Sequence, residues 1–235
     1  MELQGKNVLV AGATGVLGSR VSRALRDEGA RVALAGRNRH DLDALSGEFP
    51  DSPTIEFEAI DTDSCTRCVE TAVRELGERL DVLVVTLGVA AFGPARETDS
   101  AVVEHLLAVN TLAPIALTTA ALPHVRRAEG TVAVLSAILA DHPTPDMAAS
   151  SSSKAAVSAW LTALRREERS SGVSVFDIRP PHMDTGLADR AIAGTASRLP
   201  TPTDIDLVVG QILSGLRDGA RELSFDVRAG EFSLR

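Results

Sequence analysis

Ser150 and Lys154 stand four residues apart in the run Ala148-Ala149-Ser150-Ser151-Ser152-Ser153-Lys154, in a chain of 235 residues that contains no tyrosine. On a helix this spacing places a hydroxyl and an ammonium on one face, a turn apart. A hydroxyl beside a cation is an arrangement for giving and taking a proton at a substrate oxygen. Serine is a weak acid for that task, having no ring to delocalise an anion. Two histidines offer a better-matched proton: His182, and His142 beside Asp141. A loop histidine can equally be a solvated residue, and Lys154 a surface lysine at a helix end.

A second group of residues points to a nucleotide. Val8-Leu9-Val10-Ala11-Gly12-Ala13-Thr14-Gly15-Val16-Leu17-Gly18 reads as a strand, a tight turn and a helix start. Gly12 permits the turn, Gly15 lets a phosphate approach the backbone, and Gly18 lets helix and strand pack closely. The helix start then offers free N–H groups and the positive end of its dipole to a pyrophosphate. The end of the next strand bears on the choice of dinucleotide. It reads Ala35-Gly36-Arg37-Asn38-Arg39, with no acid to bind a ribose 2′-hydroxyl. Arg37 suits a 2′-phosphate instead, which favours NADP(H) over NAD(H). The alternative is that Arg37 and Arg39 are solvated loop charges.

These groups need elements to hold them. Strand-like runs are expected at Lys6–Ala11, Arg31–Ala35, Ile55–Ile60, Asp81–Leu87, Thr131–Ser136, Val173–Ile178 and Glu222–Phe225. Helical spacing is expected at Val16–Glu28, after the second strand to about Glu48, at Ser64–Leu76, over 99–126 as one long helix or two abutting pieces, at Met147–Ser170 and at roughly 203–217. Short apolar strands alternating with helices imply an α/β fold: a doubly wound, Rossmann-type parallel sheet of about seven strands with helices on both faces. The chain reads as one domain, 1–235, with about 186–202 as a loop covering a substrate. Leu187, Ala188, Ile192 and Leu199 suggest an apolar lining for it.

Composition excludes several classes. A net charge of −8 argues against nucleic-acid or anionic-membrane partners. The most apolar long stretch, 101–123, is interrupted by Glu104, His105, Asn110 and Pro114, so no membrane span is expected. The N-terminus shows no targeting pattern, and a cytoplasmic location is expected. Cys65 and Cys68 form a C-x-x-C; with no second pair and no thioredoxin-like surroundings, chance spacing on a helix is the expectation over a redox pair.

With the glycine loop, the strand rhythm and Lys154 on its long helix, the whole chain resembles the short-chain dehydrogenase/reductase family, as an atypical short member. The resemblance implies a catalytic set at Asn110, Ser136, Ser150 and Lys154, with Ser150 where the family has tyrosine. It places the cofactor against Gly12, Thr14, Gly15, Leu17, Gly18, Arg37, Asp61, Thr62, Leu87, Gly88, Lys154, Pro180 and Thr185. Asp61-Thr62 matches the adenine contact, Asn110 the asparagine that bends a helix, and Thr185 the threonine that holds the nicotinamide carboxamide. Three places depart from the pattern. Val85-Thr86-Leu87-Gly88 replaces Asn-Asn-Ala-Gly. Pro181 replaces a glycine. The family's Ser-Ser reads Ser136-Ala137, with alanine in the aligned slot, 13 residues before Ser150.

The implied function is an NADP(H)-dependent oxidoreductase, of carbonyl reductase or alcohol dehydrogenase type, with a degenerate catalytic set. Its partners are a small carbonyl or alcohol substrate and, through the long helices, copies of itself in a homodimer or homotetramer. The alternatives are a cofactor-binding protein with little redox activity, as a scaffold or sensor, a non-redox enzyme in the same cleft, or an active reductase whose tyrosine was deliberately replaced by Ser150. Losing a positioned acid slows a reaction by ~10²–10⁴.

Overall fold

The computed structural model describes residues 1–196 and 198–235. The chain alternates β1 (Asn7–Ala11), α1 (Val16–Asp27), β2 (Arg31–Gly36), α2 (Arg39–Ser46), β3 (Thr54–Glu56), α3 (Thr62–Glu75) and β4 (Val82–Val85). It continues through α4 (Ser100–Leu107), α5 (Ala113–Arg127), β5 (Thr131–Leu135), α6 (Ala148–Glu167), β6 (Ser174–Ile178), α7 (Ile205–Asp218), β7 (Glu222–Asp226) and β8 (Glu231–Leu234). The sheet order is β3-β2-β1-β4-β5-β6-β7-β8. All neighbours pair in parallel except β7 and β8. This is the doubly wound sheet expected from the alternation of strands and helices.

The strands are continuously apolar because both sheet faces are covered. Leu9 and Ala11 point into one core, with Cys65, Val69, Leu117 and Leu161 from α3, α5 and α6. Val8 and Val10 point into the other, with Val21, Leu25, Ile212 and Leu216 from α1 and α7. Strand order reverses between β1 and β4. The chain builds β2 and β3 on one side of β1 and everything after β4 on the other, which opens a crevice at the C-terminal ends of those two strands.

Several boundaries differ from expectation, each for a local reason. The third strand ends at Glu56 rather than Ile60: Phe57 makes one last bond to Gly36 O, and then the Ser64 hydroxyl holds the Glu58 N–H. The fourth strand spans Val82–Val85 only. Of the two readings of 99–126, one long helix or two abutting pieces, the structure has the pieces, since Ala108–Leu112 forms a π-helical turn around Asn110 and Pro114 opens α5. An eighth strand follows the seventh. The Asp226 carboxylate accepts the Arg228 and Ala229 N–H groups, Gly230 turns at φ 71°, and the chain returns antiparallel.

By length and composition alone Ser100–Arg127 is apolar enough to cross a membrane. Half of its most apolar window lies inside the fold. Cys65 and Cys68 are buried free thiols on α3. Burial pushes them up to about 11 and about 12, respectively, so they behave as core residues rather than a reactive pair.

Candidate functional site

The crevice is built by glycines that the packing requires. A Cβ on Gly18 would lie 2.1 Å from Gly12 O and 2.8 Å from Thr86 Oγ1. Gly12 itself adopts φ 92°, and a Cβ there would meet Thr86 Oγ1 at 2.8 Å. Thr86 stands where the second asparagine of the family's Asn-Asn-Ala-Gly would be. Its hydroxyl lies within hydrogen-bond distance of Ala11 O (3.1 Å) and Gly12 O (3.2 Å) and stitches β4 to the glycine turn. In the sequence Thr86 stands out only as a departure from the family pattern; the signal of its bracing role is a hydroxyl-bearing residue directly after a strand that leads into the crevice.

Gly15 is different. A Cβ there would find its nearest neighbour at 3.4 Å, an ordinary contact, so the fold does not demand glycine. It is exposed and sits at the N-cap of α1, with no side-chain cap and no acid in the first turn. By contrast α2, α3, α4 and α7 are capped by Asn38, Asp61, Asp99 and Asp204. The orphan N–H groups of α1 and the positive end of its dipole thus open onto the crevice. Thr14 packs beside Gly36 at the end of β2, and Leu17 is buried beneath the turn. The residues here fit the anionic pyrophosphate of a dinucleotide.

Arg37 follows β2 directly and is exposed, and among the described residues it makes no ion pair. Arg39 instead pairs with Asp43 at 2.9 Å along α2. Asp61 has structural work of its own. Its carboxylate accepts the Asp63 and Ser64 N–H groups at 2.9 and 3.1 Å and receives Arg67 at 3.3 Å, which lowers its pKa, chiefly through the Ser64 N–H. Thr62 opens α3 beside it and is exposed.

The other half of the site gathers beneath the segment that leaves β4. Asn110, fully buried, accepts the Val89 N–H (2.9 Å) and donates to Val89 O (3.0 Å) and Ser153 Oγ (2.9 Å). The π-helical turn is what carries its amide to that position. Lys154 is 7% exposed and donates to Leu87 O (3.3 Å) and Leu135 O (3.0 Å). Burial pushes its pKa down to about 8, against the opposing pull of Asp177. Gly88 keeps the space above it open, since a Cβ there would lie 3.5 Å from Lys154 Nζ.

The two serines part company. Ser150 is 2% exposed; its Oγ accepts the Ala91 N–H (3.0 Å) and donates to Ala91 O (2.9 Å). Ser136 donates to the buried carboxylate of Asp177, which also receives Ser158 Oγ and Arg179 Nε. Asn110, Lys154 and Ser150 therefore converge on residues 87–91, while the Ser136 hydroxyl belongs to a network behind β6. Pro180 O accepts the Ile138 N–H, and Thr185, half-buried, donates its N–H to Met183 O. His182 is half-buried and its carbonyl receives Thr203, whereas His142 is exposed.

The comparisons agree with this architecture. The family described as short chain dehydrogenase matches residues 6–195. A short chain dehydrogenase of Pseudocercospora fijiensis is 32% identical over 208 residues, covering 85% of this chain and 67% of that protein. Dehydrogenase/reductase SDR family member 7B of Bos taurus is 30% identical over 202 residues, covering 81% and 62%. The chain thus spans about two thirds or less of the length of these relatives. A short-chain dehydrogenase structure from Streptomyces avermitilis superposes with a TM-score of 0.85 at 24% identity, covering 97% of this chain and 90% of the other. One from Burkholderia cenocepacia, solved in complex with NADP, gives 0.82 at 24% identity, covering 94% and 88%. By the family match across residues 6–195 and by these relatives, this chain belongs to the short-chain dehydrogenase family.

Proposed function

We propose that this chain is an NADP(H)-dependent oxidoreductase acting on a small carbonyl or alcohol. The observation that carries the reading is the open α1 N-terminus facing the same crevice as buried Lys154 and Asn110. Gly12, Gly15 and Gly18 would seat the pyrophosphate, with Thr14 and Leu17 shaping the turn. Arg37 would meet the 2′-phosphate, and Asp61 and Thr62 the adenine. Leu87, Gly88, Lys154, Pro180 and Thr185 would hold the nicotinamide end. When bound, the dinucleotide supplies or accepts a hydride. The Burkholderia cenocepacia neighbour was solved with NADP, and here a free guanidinium stands at the end of β2, where a 2′-phosphate reader belongs.

Proton transfer has to be organised without tyrosine. The Ser150 and Ser136 hydroxyls are engaged by Ala91 and Asp177. Lys154 Nζ uses two of its three N–H donors on backbone carbonyls, which leaves one for a substrate oxygen above Gly88. Its lowered pKa makes that proton exchangeable near neutrality. The segment 186–202, of which residue 197 lies outside the described residues, would cover the substrate. Leu112, half-exposed on the long helical stretch, would lie in a contact between copies of the chain.

Thermal stability measured with NADPH and with NADH tests the reading. A clear rise in Tm with NADPH is expected. Arg37→Ala should weaken NADPH binding about tenfold or more, the worth of a charge-assisted bond, and leave NADH binding nearly unchanged. No shift with either dinucleotide refutes the proposal. Tight binding without turnover over a carbonyl panel would favour a nucleotide-binding protein with little redox activity.

A further inference from the structure

Three side chains from the expected catalytic positions bond one stretch of backbone at alternate residues. Lys154 Nζ donates to Leu87 O. Asn110 takes both the N–H and the C=O of Val89. Ser150 takes both the N–H and the C=O of Ala91. Ala90 and Phe92 bond on the opposite edge. The Ile192 N–H donates to Ala90 O (2.8 Å), the Phe92 N–H donates to Ala193 O (2.9 Å), and Ala91 forms a parallel bridge with Ala193. This alternation is the hydrogen-bonding pattern of a strand with a neighbour on each side. One neighbour is the segment 192–193; the other consists of three side chains.

We infer that Ser150 is a positioning residue which, with Asn110 and Lys154, stands in for a missing neighbour strand along residues 87–91 and so holds the other edge of that segment ready for the covering segment 192–194. The inference rests on the proposed use of the crevice, but its geometry does not need a bound dinucleotide. Ser150 is the member that reaches furthest along the segment, and it grips the residue that bridges to Ala193. Phe92, Met147, Ala193 and Gly194 are among the residues that line a cavity of about 320 Å³ beside it, which is the lower range for a small-ligand pocket. Serine at 150 therefore fixes a wall of that cavity. A tyrosine ring could not occupy the Ser150 rotamer, because Oγ already sits at hydrogen-bond distance from both Ala91 groups.

Hydrogen exchange of the full chain without ligand tests this. Removing the hydroxyl in Ser150→Ala leaves a buried N–H and C=O unpaired. Exchange at Ala91, Phe92 and Ile192 should accelerate about tenfold to hundredfold, with β1 unchanged. Ser150→Thr, which keeps the hydroxyl, should restore slow exchange. Gly194→Ala loosens the ladder from the other side, since its Cβ would lie 1.9 Å from Phe92 O at a φ of +67°. In that variant Phe92 and Ile192 should accelerate while Ala91, still held by Ser150, stays slow. With 4-nitrobenzaldehyde and NADPH as probes, Ser150→Ala should raise KM and change kcat little. If Ile192 exchange is unchanged in Ser150→Ala, or if kcat alone falls ~10²–10⁴ as for a lost acid, the inference is overturned. Should Ser150→Ala not fold, equal acceleration of Ala91 and Phe92 in Gly194→Ala overturns it. Absence of turnover in every variant, with the exchange pattern intact, counts against the oxidoreductase reading and not against the ladder.

Discussion

Lys154 is the residue whose placement works most strongly against its own charge. Its ammonium is buried against two backbone carbonyls, and desolvation brings its pKa from 10.5 down to about 8. A depressed lysine pKa means that the folded state binds its proton less tightly than the unfolded chain. Below about pH 8 both states are protonated and the full penalty is present. Between about 8 and 10.5 the folded state has released the proton and the unfolded chain has not, so stability rises with pH through that window. The size is about 3 kcal/mol. Lys154→Met removes the titration, so its stability relative to the parent should fall by about that amount between pH 7.5 and 10.5. Urea unfolding of both proteins at the two pH values measures this, and a pH-independent difference contradicts it. Lys154 was legible in the sequence through its four-residue spacing from Ser150 on a long helical pattern, and Asn110 through the resemblance to the family. The direction of Ser150 was not, because a serine in a four-serine run gives no sign of which backbone group it will reach.

At the scale of elements, the crevice depends on β1, α1 and β4 crossing closely, and the glycines of the turn do unequal work. Gly18 is required by the fold, since its Cβ would overlap Gly12 O. Gly18→Ala should destabilise the chain by about 1–3 kcal/mol as an overpacking lesion. Gly15→Ala should change stability by less than about 1 kcal/mol, the N-cap preference alone, yet weaken dinucleotide binding by crowding the phosphate approach. Denaturation midpoints and NADPH titrations on the two variants separate these roles; equal stability losses would show that the glycines are not divided in this way. The glycine spacing announced the strand–turn–helix unit in the sequence. Elements whose limits depend on tertiary partners were harder to read. β3 stops where Ser64 captures Glu58, and the helix at 99–126 breaks where Asn110 enters a π-helical turn. Neither event leaves a periodicity signal, and β8 was hidden behind a turn whose Asp226 and Gly230 look like the end of the fold.

Across the whole molecule, the sheet is tied to the site through Asp177. Its fully buried carboxylate receives Ser136 from the end of β5, Ser158 from α6 and Arg179 beyond β6. Arg179 continues the network to Asp141 (2.8 Å) and to Glu222 on β7 (3.1 Å). The same carboxylate acts on Lys154 from a distance and holds its pKa up against desolvation. Asp177→Ala therefore has two consequences at different places. It leaves Arg179, 11% exposed, without its most buried partner, and breaking a buried pair from one side costs about 3–5 kcal/mol. It also removes the charge that keeps Lys154 protonated, so the lysine pKa should drop below its value of about 8 in the parent. Chemical denaturation reads the first effect, and NMR titration of the Lys154 side chain reads the second. Ser158→Ala should be destabilising in the parent and nearly neutral in the Asp177→Ala background, because its acceptor has already gone. If Lys154 titrates unchanged in Asp177→Ala, the network is a structural clamp with no electrical link to the crevice, and the proton held above Gly88 is set by burial alone.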